Sequence, residues 1–190
     1  MLEFDKPTHT YRWNGQIVPS VTQVLAQLSD FSMVRPDVLE RKRQIGQWVH
    51  KAIELDLADD LDEESIGDDW RGYFNGWRKF RAESGFVASA SEQQVYSEKY
   101  RFAGTLDLAG ELPKAGTAII DAKCTTMIYP TVGPQVAAYS EAAGCPKAKR
   151  FALQLSPDGK YELHPLTDRG NFGVFLAALT LHNWRKQWSR

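Results

Sequence analysis

The sequence has few cysteines and no long hydrophobic run, and both shortages exclude classes of protein. Cys124 and Cys145 are its two cysteines among 190 residues, too few for a disulfide framework or a four-cysteine metal site. No apolar stretch approaches the roughly 20 residues that a membrane-spanning helix needs, and nothing at the N-terminus resembles a signal peptide. We therefore expect a soluble protein of a reducing cytoplasm, with no membrane contact.

The chain also lacks internal repeats, low-complexity tracts and a recognisable linker, so a single domain over 1–190 is expected. Hydrophobic residues make up 43% of the sequence and aromatic residues 12%, enough to bury one core without disulfides. Within this domain we expect an N-terminal hairpin and helices over 1–85, a core over about 86–165 and a C-terminal helix over about 168–190.

Net charge is close to zero, at -1, which argues against a uniformly basic nucleic-acid binder. The charge is unevenly distributed, because eight acids and no Lys or Arg lie between Asp56 and Asp69. The rest of the chain carries 23 basic against 16 acidic residues. An acidic run is usually a solvated loop or helix face. The alternative is that these acids lie beside the path of a bound polyanion and have a screening role there. Near-neutral net charge therefore does not exclude DNA as a ligand.

Local signals predict the N-terminal elements. Asn14-Gly15 lies between two β-prone runs and indicates a tight hairpin. Ser20 and Gln23 have capping-box spacing and indicate a helix through about Leu28. A second, longer helix follows from apolar residues at helical spacing, namely Val38, Ile45, Val49 and Ile53.

An aromatic stripe predicts a third helix, whose aromatic face is buried in the core rather than available as a base-stacking platform. The stripe has the spacing i, i+3, i+4, i+7, i+10 and consists of Trp70, Tyr73, Phe74, Trp77 and Phe80. From Trp70 onward the expected order is αβββαββα. It comprises antiparallel strands near 93–97, 101–108 and 117–122, a helix over 133–143, strands near 150–155 and 161–165, and a closing helix. The basic and aromatic residues of that last helix could stack on and neutralise single-stranded DNA, with docking onto the core as the competing explanation for its tryptophans. We favour packing on the core for Trp184 and leave Trp188 open.

Two strand ends carry the residues that indicate chemistry. Asp107 ends one predicted strand, and Asp121-Ala-Lys123 ends the next one, directly after the apolar pair Ile119-Ile120. The strand period of two sends Asp121 and Lys123 to the same face. Carboxylates bind hard divalent metals that activate water, while a lysine orients a nucleophile or stabilises charge on a phosphate. By itself, Asp-x-Lys is a weak signal, because paired surface charges are common.

Four motifs follow one another along the chain: Gly46-Gln-Trp-Val-His50, Gly104-Thr-Leu-Asp107, Ile119-Ile-Asp-Ala-Lys123 and Gln135-Val-Ala-Ala-Tyr139. Together they resemble the motif series of RecB-type nucleases of the PD-(D/E)XK superfamily. The resemblance extends from about Pro19 to Leu155, and Val18-Pro19-Ser20-Val21-Thr22 is similar to stand-alone phage members. It implies an α/β fold with a restriction-endonuclease-like αβββαβ core, that is, a small mixed sheet flanked by helices.

The resemblance also implies a role for each matching residue. Asp107 and Asp121 become metal carboxylates and catalytic residues, His50 and the backbone carbonyl of Ala122 become further metal ligands, and Lys123 becomes the catalytic lysine. A second set acts around this centre: Gln135 and Tyr139 position DNA or the lysine, Glu92 matches an upstream glutamate at the edge of the site, and Arg43 contacts phosphate. For Glu92 a surface charge, and for Arg43 a solvated helix face, remain the alternatives.

The implied activity is metal-dependent hydrolysis of phosphodiester bonds in linear DNA by an exonuclease that uses Mg²⁺ or Mn²⁺. Two cysteines are too few for the iron-sulfur cluster that some relatives hold. A stand-alone nuclease of this kind suggests phage or prophage recombination, replication or DNA degradation in the host cytoplasm. Its partners would be DNA ends and, in addition, a single-strand-binding or annealing protein. The alternatives are an endonuclease with the same site and a catalytically silent DNA-binding module on the same fold.

Overall fold

A five-stranded mixed sheet, a smaller three-stranded sheet and flanking helices form the described part of this protein, residues 1–30 and 32–188 of a computed structural model. The elements follow in chain order. They are β1 (Leu2–Asp5), β2 (Thr10–Trp13), β3 (Gln16–Val18), α1 (Val21–Ala26), α2 (Pro36–Leu57), a 3-10 turn (Glu63–Ser65), α3 (Asp68–Ser84), β4 (Val87–Ser97), β5 (Phe102–Leu112), β6 (Gly116–Lys123), α4 (Val132–Ala142), β7 (Lys149–Leu155), β8 (Tyr161–Pro165) and α5 (Asn171–Trp188).

The predicted N-terminal hairpin is confirmed and belongs to a larger sheet. Asn14 and Gly15 both have positive φ angles, 49° and 78°, as a tight two-residue hairpin turn between β2 and β3 requires. Strand β1, which the sequence did not signal, pairs with β2 and completes an antiparallel three-stranded sheet. Tyr11 of β2 is buried, and its hydroxyl lies 2.7 Å from Thr105 Oγ1. This small sheet is thereby attached to β5 of the large one.

Helix α1 begins with the predicted capping box. Gln23 N donates to Ser20 Oγ and Ser20 N donates to Gln23 Oε1, both at 3.1 Å, which satisfies two backbone donors that the helix start leaves free. The helix ends at Ala26, two residues before the expected Leu28, and a turn follows.

The large sheet has the strand order β4-β5-β6-β7-β8. The predicted three-stranded antiparallel unit is confirmed as β4-β5-β6, and β7 and β8 form the second antiparallel pair. The β6–β7 pair is parallel, and α4 makes the crossover between them, as a parallel connection requires. Strand β6 is buried from Ala118 to Ala122, because helices cover both faces of the sheet.

Two helical layers enclose this sheet. On one face, α2 and α3 pack against Leu108, Ile120 and Leu153; on the other, α1, α4 and α5 pack against Leu106 and Ile119. The aromatic stripe of α3 is buried in the first layer, as predicted, with Phe74, Trp77 and Phe80 fully inaccessible. The chain is therefore a mixed α/β protein with a sheet between two helical layers.

The acidic segment is partly structural rather than a fully solvated run. Asp56, near the end of α2, accepts hydrogen bonds from Trp77 Nε1 and Arg81 of α3, both at 2.8 Å. Arg78 also pairs with Glu63 in the 3-10 turn. These bonds hold α2 against α3, so Asp56 and Glu63 contribute to helix packing, and α2 is fixed where it crosses the sheet.

The closing helix differs from expectation at its C-terminal end. Trp184 is 56% exposed and Trp188 73% exposed, so the prediction that Trp184 packs on the core is wrong. Buried apolar contacts of α5 come from its first half, through Phe175, Ala178 and Leu179. The last two residues of the predicted segment, 189–190, lie outside the described residues. Among the described helices, none combines the length and apolar character needed to span a bilayer.

Candidate metal centre

The site lies where β5 and β6 separate. Their ladder ends at the pair Leu108 and Ile120, although β6 continues beside β7 to Lys123. Just beyond the last pair, Asp107 Oδ2 accepts a hydrogen bond from the backbone N–H of Ala122 at 2.8 Å. A carboxylate thus satisfies an amide that would otherwise be left without a partner in the opening. The second Asp107 oxygen stays available inside the opening.

Glu92 has an unusual backbone conformation opposite Asp107. The pairs Ser91–Leu108 and Gln93–Leu106 flank it in the β4–β5 ladder, yet its φ angle is 49°. A left-handed conformation costs a non-glycine residue about 1–2 kcal/mol, and such residues cluster at functional sites. The conformation accompanies the interruption of strand pairing at Glu92, whose carboxylate contacts His50.

Helix α2 supplies His50. The helix buries Val49 and Ile53 against the sheet, which holds His50 above the opening between β5 and β6. His50 Nδ1 lies 3.0 Å from Glu92 Oε1 and 3.7 Å from Asp107 Oδ1, and Nε2 lies 3.0 Å from the Ala122 carbonyl oxygen. Both ring nitrogens therefore face oxygen acceptors, an arrangement that a doubly protonated imidazolium satisfies.

Electrostatics favour that charged form of His50. Burial alone would lower the pKa of the imidazole, but the charge of Asp107 and the hydrogen bond and charge of Glu92 outweigh burial. Together they raise the pKa of His50 to about 9. A cationic ring thus occupies the centre of an oxygen-rich cluster, where it partly balances the carboxylates.

The donor set of this cluster fits a divalent cation. One ligand atom each from His50, Glu92 and Asp107 lies within 4.8 Å of the other two, and the Ala122 carbonyl faces the same ring. Ligands around one Mg²⁺ at 2.0–2.1 Å are at most about 4.2 Å apart, so modest side-chain closure would bring these atoms into range. Carboxylate and carbonyl oxygens with one imidazole suit Mg²⁺ or Mn²⁺.

Asp121 and Lys123 form a buried pair beside this cluster. As the strand period predicts, they share a face: Lys123 Nζ lies 2.7 Å from Asp121 Oδ2. Asp121 is 1% exposed, and apart from this ion pair neither oxygen has a hydrogen-bond partner among the described residues. Burial and then the charge of Asp107 raise the pKa of Asp121 to about 6, against the opposing effect of Lys123.

Glu92 and Asp121 have different surroundings in the structure. Glu92, for which an edge position and a surface charge were the alternatives, contacts His50 inside the ligand cluster. Asp121, expected as a metal carboxylate, lies next to the cluster and is paired with Lys123. Direct metal ligation by Asp121 stays a prediction, and it would require the lysine pair to open.

Helix α4 approaches the opening from the opposite face of the sheet. Tyr139 is 3% exposed, and its hydroxyl receives a hydrogen bond from Gln135 Nε2 at 3.3 Å. Burial, followed by the charges of Asp107 and Asp121, raises the pKa of this phenol well above its usual value. Gln135 and Tyr139 thus share a helix face, as their spacing predicted, and the phenol is electrostatically coupled to the carboxylates.

The packing around Gly104 explains why the motif Gly104-Thr-Leu-Asp107 begins with a glycine. A Cβ atom at this position would lie 2.6 Å from Tyr139 Cε1 and 3.3 Å from Val21 Cγ2. The Tyr139 ring therefore packs directly on the backbone of β5, three residues before Asp107. Gly104 of one motif and Tyr139 of another are therefore in direct packing contact.

A cleft of about 990 Å³ opens over the ligand cluster. Eight residues of α2 between Lys42 and Glu54 line one side, Phe4, Lys6, Pro7 and His9 line the other, and Glu92 and Lys123 lie between them. Arg43 is on the α2 side but is solvent-exposed and paired with Glu40 at 2.9 Å, so both interpretations of this residue remain. Sequence reasoning missed Lys6, His9, Lys42 and Trp48 as lining residues.

Comparisons with known proteins leave the family open. No family model matches the chain, and no curated protein matches it. Among solved structures, the chain is similar to one described as the crystal structure of SSO0001, with 12% sequence identity and a TM-score of 0.36. That match covers 78% of this chain and 72% of the other. A likeness at this level carries no argument about activity.

Proposed function

We propose that this protein is a metal-dependent DNA exonuclease with a PD-(D/E)XK core. One observation carries the proposal: His50, Glu92 and Asp107 form one ligand cluster, of which His50 and Glu92 line the cleft, and the Asp121–Lys123 pair lies beside them. Two carboxylates and an imidazole make a ligand set for a hard divalent cation. A lysine next to such a set is suited to a phosphate substrate. The motif spacing described above places these same residue types in the order typical of RecB-type nucleases.

Each residue then has a defined part in phosphodiester hydrolysis. His50, Glu92, Asp107 and the Ala122 carbonyl would hold Mg²⁺ or Mn²⁺, which when bound supplies a Lewis acid that activates water and neutralises phosphate charge. Lys123 donates to a non-bridging oxygen of the phosphate or orients the attacking water. The buried carboxylate of Asp121 raises the pKa of Lys123 against the effect of burial, and this keeps the ammonium charged.

Other chemistry finds less support at the same place. Cys124 follows the lysine directly, but burial raises the pKa of its thiol to about 12. A thiol with that pKa is almost entirely protonated at neutral pH and is a poor nucleophile. Cysteine-based acyl transfer is therefore not the function that this site favours.

Two alternatives use the same fold. An endonuclease would employ the same residues on internal phosphodiester bonds, and a silent DNA-binding module would retain the cleft without turnover. The complete set of His50, Glu92, Asp107 and Lys123 favours catalysis over silent binding. Exonuclease action, like a role in phage or prophage recombination, replication or DNA degradation, is inferred from the motif resemblance.

The test is degradation of end-labelled linear single-stranded and duplex DNA beside a closed circle, with Mg²⁺, Mn²⁺ or EDTA. We expect metal-dependent loss of linear DNA only. Asp107→Asn should reduce cleavage at least about 100-fold, because it removes a charged ligand from the centre. The matched control is Asp158→Asn, on the exposed turn between β7 and β8, which should retain full activity.

The outcomes separate the alternatives. Cleavage of the closed circle would identify an endonuclease. DNA binding without cleavage under any metal condition would identify the silent module. Equal activity of Asp107→Asn and Asp158→Asn would contradict the proposed site, provided that both variants melt as cooperatively as the wild type.

A further inference from the structure

The cleft over the metal centre has the dimensions of a site for a few linked nucleotides. Its volume of about 990 Å³ lies at the upper end of the range for small-ligand pockets. The ligand cluster is recessed: the side chain of Asp107 is 12% exposed and that of His50, which lines the cleft, is 24% exposed. A phosphodiester must therefore descend between the two sides of the cleft to reach the ligand cluster.

The charge of the cleft suits a polyanion. Its lining includes five lysine and arginine side chains against two carboxylates, although the whole chain has a net charge of -1. Lys6 and Lys42 come from opposite sides, and within residues 1–30 and 32–188 neither is paired with a carboxylate. Lys42 is instead bonded to the Tyr73 hydroxyl at 3.2 Å. Both ammonium groups can therefore contact phosphates without breaking an ion pair.

The cleft also offers aromatic surface on both sides. Trp48 of α2 is 41% exposed, and the Arg41 guanidinium lies 5.3 Å from its ring centroid, which orients the indole. Across the cleft, Phe4 stacks on Tyr11 at 4.4 Å and meets His9 edge-on at 5.3 Å. Exposed aromatic rings beside cationic groups bind unpaired bases, because every base has a stacking face. In a duplex those faces are already occupied by neighbouring bases.

We infer that this cleft selects single-stranded DNA, with Trp48 as a base-stacking residue and Lys6 and Lys42 as phosphate contacts. The inference rests on the proposed nuclease function and adds its substrate class. One strand threads between α2 and the β1–β2 segment, so that a single phosphodiester reaches the metal centre. A duplex end enters only after its strands separate.

Binding is measured by fluorescence anisotropy in EDTA, where metal-dependent cleavage does not occur, with a labelled single-stranded oligonucleotide and the blunt duplex of the same sequence. We expect the wild type to bind the single strand at least about tenfold more tightly. Trp48→Ala should weaken that binding about 5- to 150-fold, the loss of one stacked base. Its control is Trp184→Ala on α5, a tryptophan of greater exposure outside the cleft.

Salt dependence tests the two lysines. The double substitution Lys6→Ala with Lys42→Ala should reduce the slope of log affinity against log salt by about 1.4, at about 0.7 for each phosphate contact on a single strand. The control pair is Lys114→Ala with Lys147→Ala. Both of these lysines are exposed and lie at the end of β6 opposite the metal centre. Equal slopes for the two double variants would remove Lys6 and Lys42 as phosphate contacts.

Hydrolysis of bis(4-nitrophenyl) phosphate separates this inference from the proposed function. This small diester reports on the metal centre, so the wild type should hydrolyse it with Mg²⁺ or Mn²⁺ whichever form of DNA the cleft prefers. Equal or tighter binding of the blunt duplex, or equal losses in Trp48→Ala and Trp184→Ala, would overturn the single-strand inference and leave the nuclease intact. Absence of both DNA cleavage and diester hydrolysis would overturn both.

Discussion

Metal binding should release a proton from His50. In the structure this ring contacts Glu92 and the Ala122 carbonyl through its two nitrogens, and its pKa is raised to about 9. At pH 7.5 a group with that pKa is about 97% protonated. A histidine binds a metal only in its neutral form. Uptake of Mg²⁺ or Mn²⁺ at this pH should therefore displace about one proton for each ion.

The same linkage fixes the pH dependence of metal affinity. Below pH 9 the affinity should increase about tenfold per pH unit, since one proton competes with the metal. At pH 7 this competition weakens binding about 100-fold, or about 2.7 kcal/mol, relative to the fully deprotonated ring. A steeper dependence should begin below about pH 6, where Asp121 also takes up a proton.

Isothermal titration calorimetry with Mn²⁺ in Tris and PIPES buffers at about pH 7.5 measures the proton release directly, because the two buffers have different ionisation enthalpies. His50→Asn should bind the metal more weakly and release no proton, with affinity nearly constant from about pH 6.5 to 8.5. His164→Asn, on β8 and outside the cluster, is the control. If the wild type releases no proton, or if His50→Asn releases as many as the wild type, His50 does not ligate the metal from the charged state described here.

Substitutions at three further residues test the site through stability and turnover. The free energy of unfolding measured in urea should be about 1 kcal/mol higher for Glu92→Gly than for Glu92→Ala, because glycine adopts the positive φ angle without strain. Equal stabilities would mean that the conformation is not strained. Gly104→Ala should destabilise the protein by about 1–3 kcal/mol, since its Cβ collides with the Tyr139 ring, and an unchanged melting temperature would contradict that contact. Lys123→Ala should retain Mn²⁺ binding but lose cleavage about 100-fold or more; undiminished cleavage would remove the lysine from the mechanism.

Local signals predicted the elements that position the site. The Asn14-Gly15 turn and the Ser20 capping box each depend on residues within four positions of one another, and both occur as expected. The burial of the aromatic helix follows from its periodicity, because a stripe of five large rings is too costly to leave in water. These elements place α2 and the small sheet on either side of the cleft. The cleft itself depends on their relative placement, which no local pattern encodes, so Lys6 and Trp48 could not be recognised as neighbours.

In the candidate site, too, the sequence predicted the local contacts and not those between distant segments. Asp121 and Lys123 are two positions apart on one strand, so alternation alone predicted their contact. The neighbour of Asp107 in the ligand cluster is Glu92, which lies opposite it between two paired positions of the β4–β5 ladder. That placement depends on the register between two strands and on a left-handed backbone at Glu92, for which a glutamate gives no local signal. The resemblance left open whether Glu92 lies at the edge of the site or is a surface charge. The register of β4 against β5 carries the information that motif spacing lacks, because it puts Glu92 opposite Asp107.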